Sequence, residues 1–130
     1  EKCHHDFSQK VDISPSEITI TSLDEQLLKK AIRIVEEHLT DSDFSVEILS
    51  ETLGLSRSHL YKKLMCITGK GPAEFIRIVR LKRGRQLLEK SQMQIAEIAY
   101  AVGFNSPKRF TQNFRNEFGI SPSDYLRSLK

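Results

Sequence analysis

Residues with the chemistry to read DNA bases are concentrated just after residue 105. Ser106 followed by Pro107 is typical of a helix N-cap and a first helical residue. Phe110 and Phe114, four residues apart, give this helix one apolar face. The polar side chains on or beside the other face are Lys108, Arg109, Gln112 and Arg115. Arginine and glutamine suit guanine and adenine edges in a major groove, and lysine suits guanine or phosphate. The alternative is a solvated helix in a helical bundle.

A short helix and a tight turn precede these residues and would position them. Ile95, Ile98 and Val102 are spaced i, i+3 and i+7, the spacing of one helical face. Gly103 then supplies the turn, where a positive φ is often needed. The small Ala99 allows the second helix to cross close to the first. Two short helices joined by a glycine turn predict a helix-turn-helix.

The same pattern occurs about fifty residues earlier in the chain. Val46, Leu49 and Leu53 repeat the i, i+3, i+7 face. The offset between the copies is 49 residues up to the glycine and 50 from Leu60 onward, so the second turn has one extra residue. The matched pairs are Ser50 and Ala99, Gly54 and Gly103, Leu55 and Phe104, Leu60 and Phe110, Leu64 and Phe114, Gly69 and Gly119, Pro72 and Pro122, and Phe75 and Tyr125. This order indicates an internal repeat of two helix-turn-helix units.

The earlier copy has its own candidate recognition helix, capped by Ser56 and ending at about Ile67. If Leu60, Leu64 and Ile67 point inward, a helical wheel places a second set of side chains outward or beside the outward face. These are Ser58, Lys62 and Met65, flanked by His59 and Tyr61. His59 suits a phosphate or packing contact better than a metal site, because no partner ligand lies near it in the sequence.

Length and charge are consistent with this interpretation. The 130 residues allow one domain, or two small subdomains that share a helix. Residues 1–43 carry a net charge of −5 and residues 44–130 a net charge of +8, so the basic part holds both helix-turn-helix units. A basic surface attracts phosphate, although +8 also fits a merely soluble domain. No apolar run approaches the roughly 20 residues of a membrane span.

A long helix is predicted between the two units, from Pro72 to Lys90, with Phe75, Ile78, Leu81 and Leu88 on its buried face. Gly84 allows a close helix crossing. Nineteen residues give roughly 28 Å, a suitable spacer for recognition helices that must sit about 34 Å apart in successive major grooves. The helix is strongly basic, so some of its side chains could reach backbone phosphate. Its basic residues include Arg77, Arg80, Lys82, Arg83 and Arg85.

The acidic start of the chain divides into a linker and a first helix. Residues 1–23 show no helical period and are predicted to be a linker from an upstream domain. A helix is predicted from Asp24 to about Leu39, with Ser22 as its N-cap and Glu25 completing a capping box. Its apolar stripe is predicted to consist of Leu28, Ala31, Ile32, Val35 and Leu39. The predicted DNA-binding domain is 24–130, with helix-turn-helix units at about 45–67 and 94–118 around the linking helix 72–90.

Other function classes are disfavoured. No carboxylate pair or nucleophile motif is present, so we expect no enzymatic activity in this chain. Cys3-His4-His5 lacks a fourth ligand, so we expect no metal site and no cofactor. Gly69-Lys70-Gly71 lacks the spacing of a phosphate-binding loop. A helical protein-protein interaction module without DNA binding is the alternative function.

The residues resemble the AraC/XylS family of bacterial transcription regulators from about Asp24 to Lys130. The segments that carry the resemblance are VEILSETLGLSRSHLYKKL, IRIVRLKRGRQLLEK and IAEIAYAVGFNSPKRFTQNFRNEFGISPSDYL. The resemblance implies an all-α fold of seven helices, in which two helix-turn-helix units are joined by a long central helix. It implies sequence-specific binding to the major groove of double-stranded DNA and transcription regulation, with activation as the expected outcome.

The resemblance also implies roles for individual residues. Base-reading positions fall on Ser58, Tyr61 and Lys62 in the first unit and on Lys108, Arg109, Gln112 and Asn113 in the second. Backbone contacts are expected from Arg57, His59, Lys63 and Arg115. Two positions depart from the family. Ser58 replaces a large aromatic side chain that some members have, and Pro107 cannot donate a side-chain hydrogen bond.

The leader, ISPSEITITSLDEQLLKKAIRIVEEHL, is similar to the junction between a receiver domain and an AraC-type output domain in Bacteroides-type hybrid two-component regulators. This similarity implies a cytoplasmic bacterial regulator of polysaccharide-utilisation genes. Its expected partners are DNA, an upstream receiver or sensor domain in the same parent chain and RNA polymerase, with no membrane contact by this domain. The parent could carry histidine kinase activity.

Overall fold

The computed structural model describes residues 22–130, and this part of the chain is helical without any strand. The predictions for the linker up to residue 21 and for Cys3-His4-His5 lie outside the described residues. The helices are α1 (Ser22–Glu37), α2 (Val46–Leu53), α3 (Arg57–Thr68), α4 (Pro72–Lys90), α5 (Ile95–Ala101), α6 (Pro107–Phe118) and α7 (Pro122–Ser128). The predicted all-α fold of seven helices is therefore confirmed.

The described chain divides into two compact units, each with one helix-turn-helix. The first unit holds α1, α2, α3 and the start of α4, in residues 22–37 and 44–77. The second unit holds the rest of α4 with α5, α6 and α7, in residues 78–130, together with the segment 38–43. The central helix α4 begins at Pro72 and ends at Lys90, as predicted.

The first helix differs from its prediction at both ends and on one face. α1 begins at Ser22, so its N-cap position precedes the described residues, and it ends at Glu37. It packs against both α2 and α3, and this widens its buried face towards Ile34, which is 5% exposed. The prediction was therefore wrong for Ile32, which is only half-buried. Leu39 lies beyond the helix and packs against the core of the second unit.

Equivalent hydrogen bonds begin the second helix of each helix-turn-helix unit and close the turn that precedes it. Ser56 and Ser106 accept backbone hydrogen bonds at the starts of α3 and α6 through their hydroxyl oxygens. Each turn is closed by a backbone bond between matched residues. The N–H of Leu55 donates to the carbonyl of Ser50 (2.9 Å), and the N–H of Phe104 donates to that of Ala99 (3.0 Å). The internal repeat predicted from the sequence is confirmed by this shared geometry.

Phenylalanine rings form the centre of the second unit. Phe110 and Phe114 are fully buried with Ile98, Ala99 and Val102. The Phe110 ring lies directly on α4 at Gly84, where an added Cβ would be 2.8 Å from Cε1 of the ring. The predicted close crossing at Gly84 is therefore confirmed, and it fixes how α6 packs on α4.

Candidate nucleic-acid interface

The outward face of α3 presents most of the residues predicted to contact DNA in the first unit. Leu60 and Leu64 are fully buried, and this orients the helix. The exposed predicted residues are Arg57, Ser58, His59, Tyr61 and Lys62. Ser58, Tyr61 and Lys62, the three predicted base readers of this helix, therefore share a solvent-facing side.

Four of these residues line one open groove beside the start of α4. Arg57, Ser58, Tyr61 and Lys62 form its α3 wall, and the whole groove has a volume of about 790 Å³. The Tyr61 ring lies against Gly71, where an added Cβ would be 3.3 Å from Cε2 of the ring. The backbone before α4 thus supports Tyr61 from one side while half of the side chain stays exposed.

Lys63 does not share this exposed surface. Its ammonium group lies 3.1 Å from the Asp24 carboxylate of α1, and only 19% of the Lys63 side chain is exposed. A lysine that bound phosphate would have to leave this partly buried partner. The ion pair therefore links α3 to α1, and Lys63 is not among the phosphate contacts that we propose.

Arg57 has an exposed carboxylate neighbour in the free protein. Its guanidinium lies 3.6 Å from the Glu47 carboxylate of α2, and both side chains are about two-thirds exposed. Exposed ion pairs of this kind contribute little stability. A phosphate group can therefore replace Glu47 at a small energetic cost.

The second recognition helix, α6, places four predicted contacts on its surface. Lys108, Arg109, Gln112 and Arg115 are exposed, whereas Phe110 and Phe114 are fully buried. Lys108 and Arg109 belong to the first turn, directly after the Ser106 cap. The helix therefore presents the guanidinium and amide groups that suit purine edges in a major groove.

Asn113 has a different environment from its neighbours on α6. Its side-chain amide nitrogen donates a hydrogen bond to the carbonyl of Arg109 (2.8 Å), and the residue is half-buried. The amide is thus engaged by its own helix. Reading a base with this nitrogen would require the side chain to leave Arg109.

Aromatic rings make up much of the packing between α6 and the rest of the second unit. Successive ring pairs have centroid distances of 5.6 Å for Phe110 and Phe114 and 4.6 Å for Phe114 and Phe118. The Arg85 guanidinium lies 4.4 Å above the Phe118 ring, a cation–π contact. Rigid rings with few rotamers hold this helix in one orientation.

Arg80 of α4 is buried and makes structural contacts. The sequence indicated that some of the basic residues of α4 could reach phosphate, but Arg80 is only 7% exposed and is not one of them. Nη1 donates to the carbonyl of Gly103 (2.6 Å), and Nη2 donates to the carbonyl of Asp41 (2.9 Å). Burial lowers the pKa of Arg80, and the Asp41 charge partly opposes this shift. Arginine nevertheless remains charged at neutral pH.

Two kinds of structural feature are absent from residues 22–130. No helix in that range combines the length and apolarity needed to cross a membrane. The same residues contain no cluster of three side chains arranged to hold a metal ion.

Comparison with known proteins identifies the family. The family described as "Helix-turn-helix domain" matches residues 49–128, more than half of the chain. The chain is 49% identical over 119 residues to "Histidine kinase P4" of Formosa agariphila, an alignment that covers 92% of this chain. The chain spans 9% of that relative's length, and 32% and 39% of the length of further curated relatives.

Solved structures agree in fold with both units. A transcriptional regulator from Chromobacterium violaceum, described as containing an AraC-type DNA-binding domain, has a TM-score of 0.76 and 27% identity, covering 84% of this chain and 96% of that one. The DNA-binding domain of AdpA, solved in complex with a target DNA, has a TM-score of 0.69 and 29% identity, covering 77% and 89%. The chain therefore belongs to the AraC/XylS family of helix-turn-helix DNA-binding transcription regulators.

Proposed function

We propose that the chain recognises DNA sequence with two helices, α3 and α6, each placed in a major groove. In the first unit, Ser58, Tyr61 and Lys62 read bases, and Arg57 and His59 contact the backbone. In the second unit, base reading falls mainly to Lys108, Arg109 and Gln112, with Arg115 on phosphate. Asn113 takes part only if its amide leaves the Arg109 carbonyl.

The observation that carries this proposal is the repeated geometry. Two capped helices of twelve residues each bury their apolar side and expose polar side chains suited to bases. A helical module that bound another protein would need an apolar docking face on these helices. The exposed sides of α3 and α6 instead carry mostly hydrophilic and basic groups.

We further propose that the chain is the output domain of a larger cytoplasmic signalling regulator, joined by the residues before α1, 1–21, to an upstream receiver or sensor domain. The support is the 49% identity to a protein named histidine kinase, of which the chain spans 9%. In such a parent, kinase chemistry would belong to the remaining length. Activation of polysaccharide-utilisation genes, with RNA polymerase as a partner, is the regulation that fits this arrangement.

A fluorescence anisotropy titration tests the proposal directly. We expect the chain to bind mixed-sequence duplex DNA at low salt and to bind much more weakly as salt rises, because phosphate contacts release counterions. An excess of a selected site should compete better than scrambled DNA. No binding at low salt would favour the protein-interaction module instead.

A further inference from the structure

Arg80 is a buried cation whose hydrogen bonds go to backbone carbonyls. Its two terminal nitrogens reach different segments of the second unit, Gly103 in the turn between α5 and α6 and Asp41 in the segment after α1. Its Nε has no hydrogen-bond partner among the described residues. A buried charge with an unpartnered nitrogen is costly, so a simple packing role does not account for an arginine here.

The Gly103 backbone lies close to the Arg80 guanidinium, which donates to its carbonyl oxygen (2.6 Å). An added Cβ at Gly103 would be 2.1 Å from Nη1 of Arg80 and 2.5 Å from the carbonyl oxygen of Leu39. The turn, the guanidinium and the segment 38–43 are therefore in close contact. Because glycine has no Cβ, the Arg80 guanidinium and the Leu39 carbonyl can both lie beside the turn at residue 103.

This contact lies next to the base-reading end of α6. Gly103 has a φ of 91°, and Phe104 closes the turn on Ala99. α6 begins at Pro107, and Lys108 and Arg109 follow within its first turn. Only a short segment of the chain therefore separates the Gly103 carbonyl from the first turn of α6.

We propose that Arg80 is a positioning residue for sequence recognition by α6. By bridging the Gly103 and Asp41 carbonyls, its guanidinium fixes the first turn of α6 and so the direction of Lys108 and Arg109. Arginine is required because its planar fork serves two acceptors at once, whereas a lysine ammonium reaches them from a single point. This inference rests on the proposed base reading by α6.

The test compares the sequence preference of Arg80→Lys and Arg80→Met with that of the native full chain. Selection of bound sites from random duplex DNA first identifies the sequence that the native chain prefers. The base positions at which Gln112→Ala loses this preference are those that depend on α6. Lys90→Met is the matched control, because it removes one exposed positive charge from the same helix. Near-ultraviolet circular dichroism and thermal unfolding establish which variants are folded.

We expect Arg80→Lys to lose discrimination by at least about fivefold at the positions marked by Gln112→Ala, the lower end of what one base contact supplies. Discrimination at the positions read by α3 should be unchanged. Lys90→Met should keep the native preference at every position. A folded Arg80→Lys or Arg80→Met with full native preference would overturn the proposal, as would an equal loss at all positions.

A measurement on the native chain keeps the proposal testable if neither variant folds. In a nitrogen-15 NMR spectrum, the Nη protons of Arg80 should exchange slowly with water and give separate signals. Fast exchange with averaged signals would overturn the proposal. If the native chain shows no α6-dependent preference at all, the proposed function fails, and this outcome is distinct from a preference that persists without Arg80.

Discussion

The side chains that we propose as DNA contacts on α3 and α6 divide between base reading and phosphate binding, and these two roles should affect binding energy differently. Base contacts discriminate between sequences, whereas phosphate contacts position the protein without sequence information. Arg109 and Gln112 are exposed on α6, and Arg57 is exposed on α3 beside Glu47. These three residues therefore offer a direct test of the division.

Arg109→Ala and Gln112→Ala should each weaken binding to the preferred site by about 1–3 kcal/mol and relax its sequence preference. Arg57→Ala should weaken binding to preferred and scrambled sites about equally. Equilibrium titrations of both DNAs measure the difference. If Arg109→Ala weakens binding to both DNAs equally, Arg109 does not read bases.

A second prediction at the residue scale concerns the ion pair of Lys63 and Asp24, whose side chains are 19% and 10% exposed. Removing one charge leaves its partner poorly solvated, so Lys63→Met should destabilise the fold by about 1–3 kcal/mol. Glu25→Gln breaks a more exposed pair with Lys29 and should cost about 0.5 kcal/mol or less. Urea unfolding compares them, and equal effects would contradict a structural role for Lys63.

The sequence predicted most of the residues that face outward on α3 and α6, because helical periodicity relates neighbours three and four residues apart. Met65, which was also predicted to point outward, is half-buried. The sequence could not predict that Lys63 forms a partly buried ion pair or that Arg80 is buried against backbone carbonyls. Their partners, Asp24 and Gly103, are 39 and 23 residues away in the chain. Nor could it show that the Asn113 amide bonds back to Arg109, since this depends on the rotamer.

At the scale of elements, caps and glycines define most of the helices. Ser45, Ser56, Ser106 and Ser121 each accept a backbone hydrogen bond at a helix start. Such signals are local and can be recognised in the sequence, and α4 likewise begins at Pro72 as predicted. No glycine or proline follows α1 directly, and this helix ends at Glu37 rather than at Leu39.

The central helix allows a prediction about the linkage of the two units. Val79→Pro removes a backbone donor and adds a clash in the interior of α4, which should cost about 3 kcal/mol or more. Specific binding to a DNA site long enough for both units should be lost in this variant. Most of the helical circular dichroism signal should remain, because each unit has its own buried residues. Circular dichroism and DNA titration follow the two properties.

Val79→Ala is the matched control, because it shortens the same buried side chain without interrupting α4. It should lower stability modestly and retain specific binding. Full affinity of Val79→Pro for the long site would show that only one unit engages DNA.

At the scale of the whole molecule, charge is distributed unevenly along the chain. Residues 44–130 carry +8 and residues 1–43 carry −5. We therefore predict that deleting residues 1–21 leaves DNA affinity nearly unchanged and that affinity falls steeply with salt. Titrations between low and physiological salt measure the slope. A flat dependence would contradict an interface dominated by phosphate.

The distribution of exposed apolar side chains leads to a prediction about the oligomeric state. The large apolar side chains exposed in residues 22–130 are Leu23, Tyr61, Tyr100 and Leu129, which lie in four different segments. We predict a monomer that binds tandem sites with little cooperativity. Fusion to an unrelated dimerising module should raise apparent affinity for tandem sites by about 10²–10⁴. A dimer in light scattering at micromolar concentration, with cooperative binding by the unfused chain, would contradict this.

The central claim is that two helices of one chain read two DNA segments. Selection of bound sites from random duplex DNA, followed by sequencing, tests it most directly. We expect a motif with two elements about one helical turn apart. Arg109→Ala with Gln112→Ala should erase one element, and Ser58→Ala with Lys62→Ala should weaken the other. A single element, or a two-element motif unchanged by both pairs of substitutions, would contradict the account.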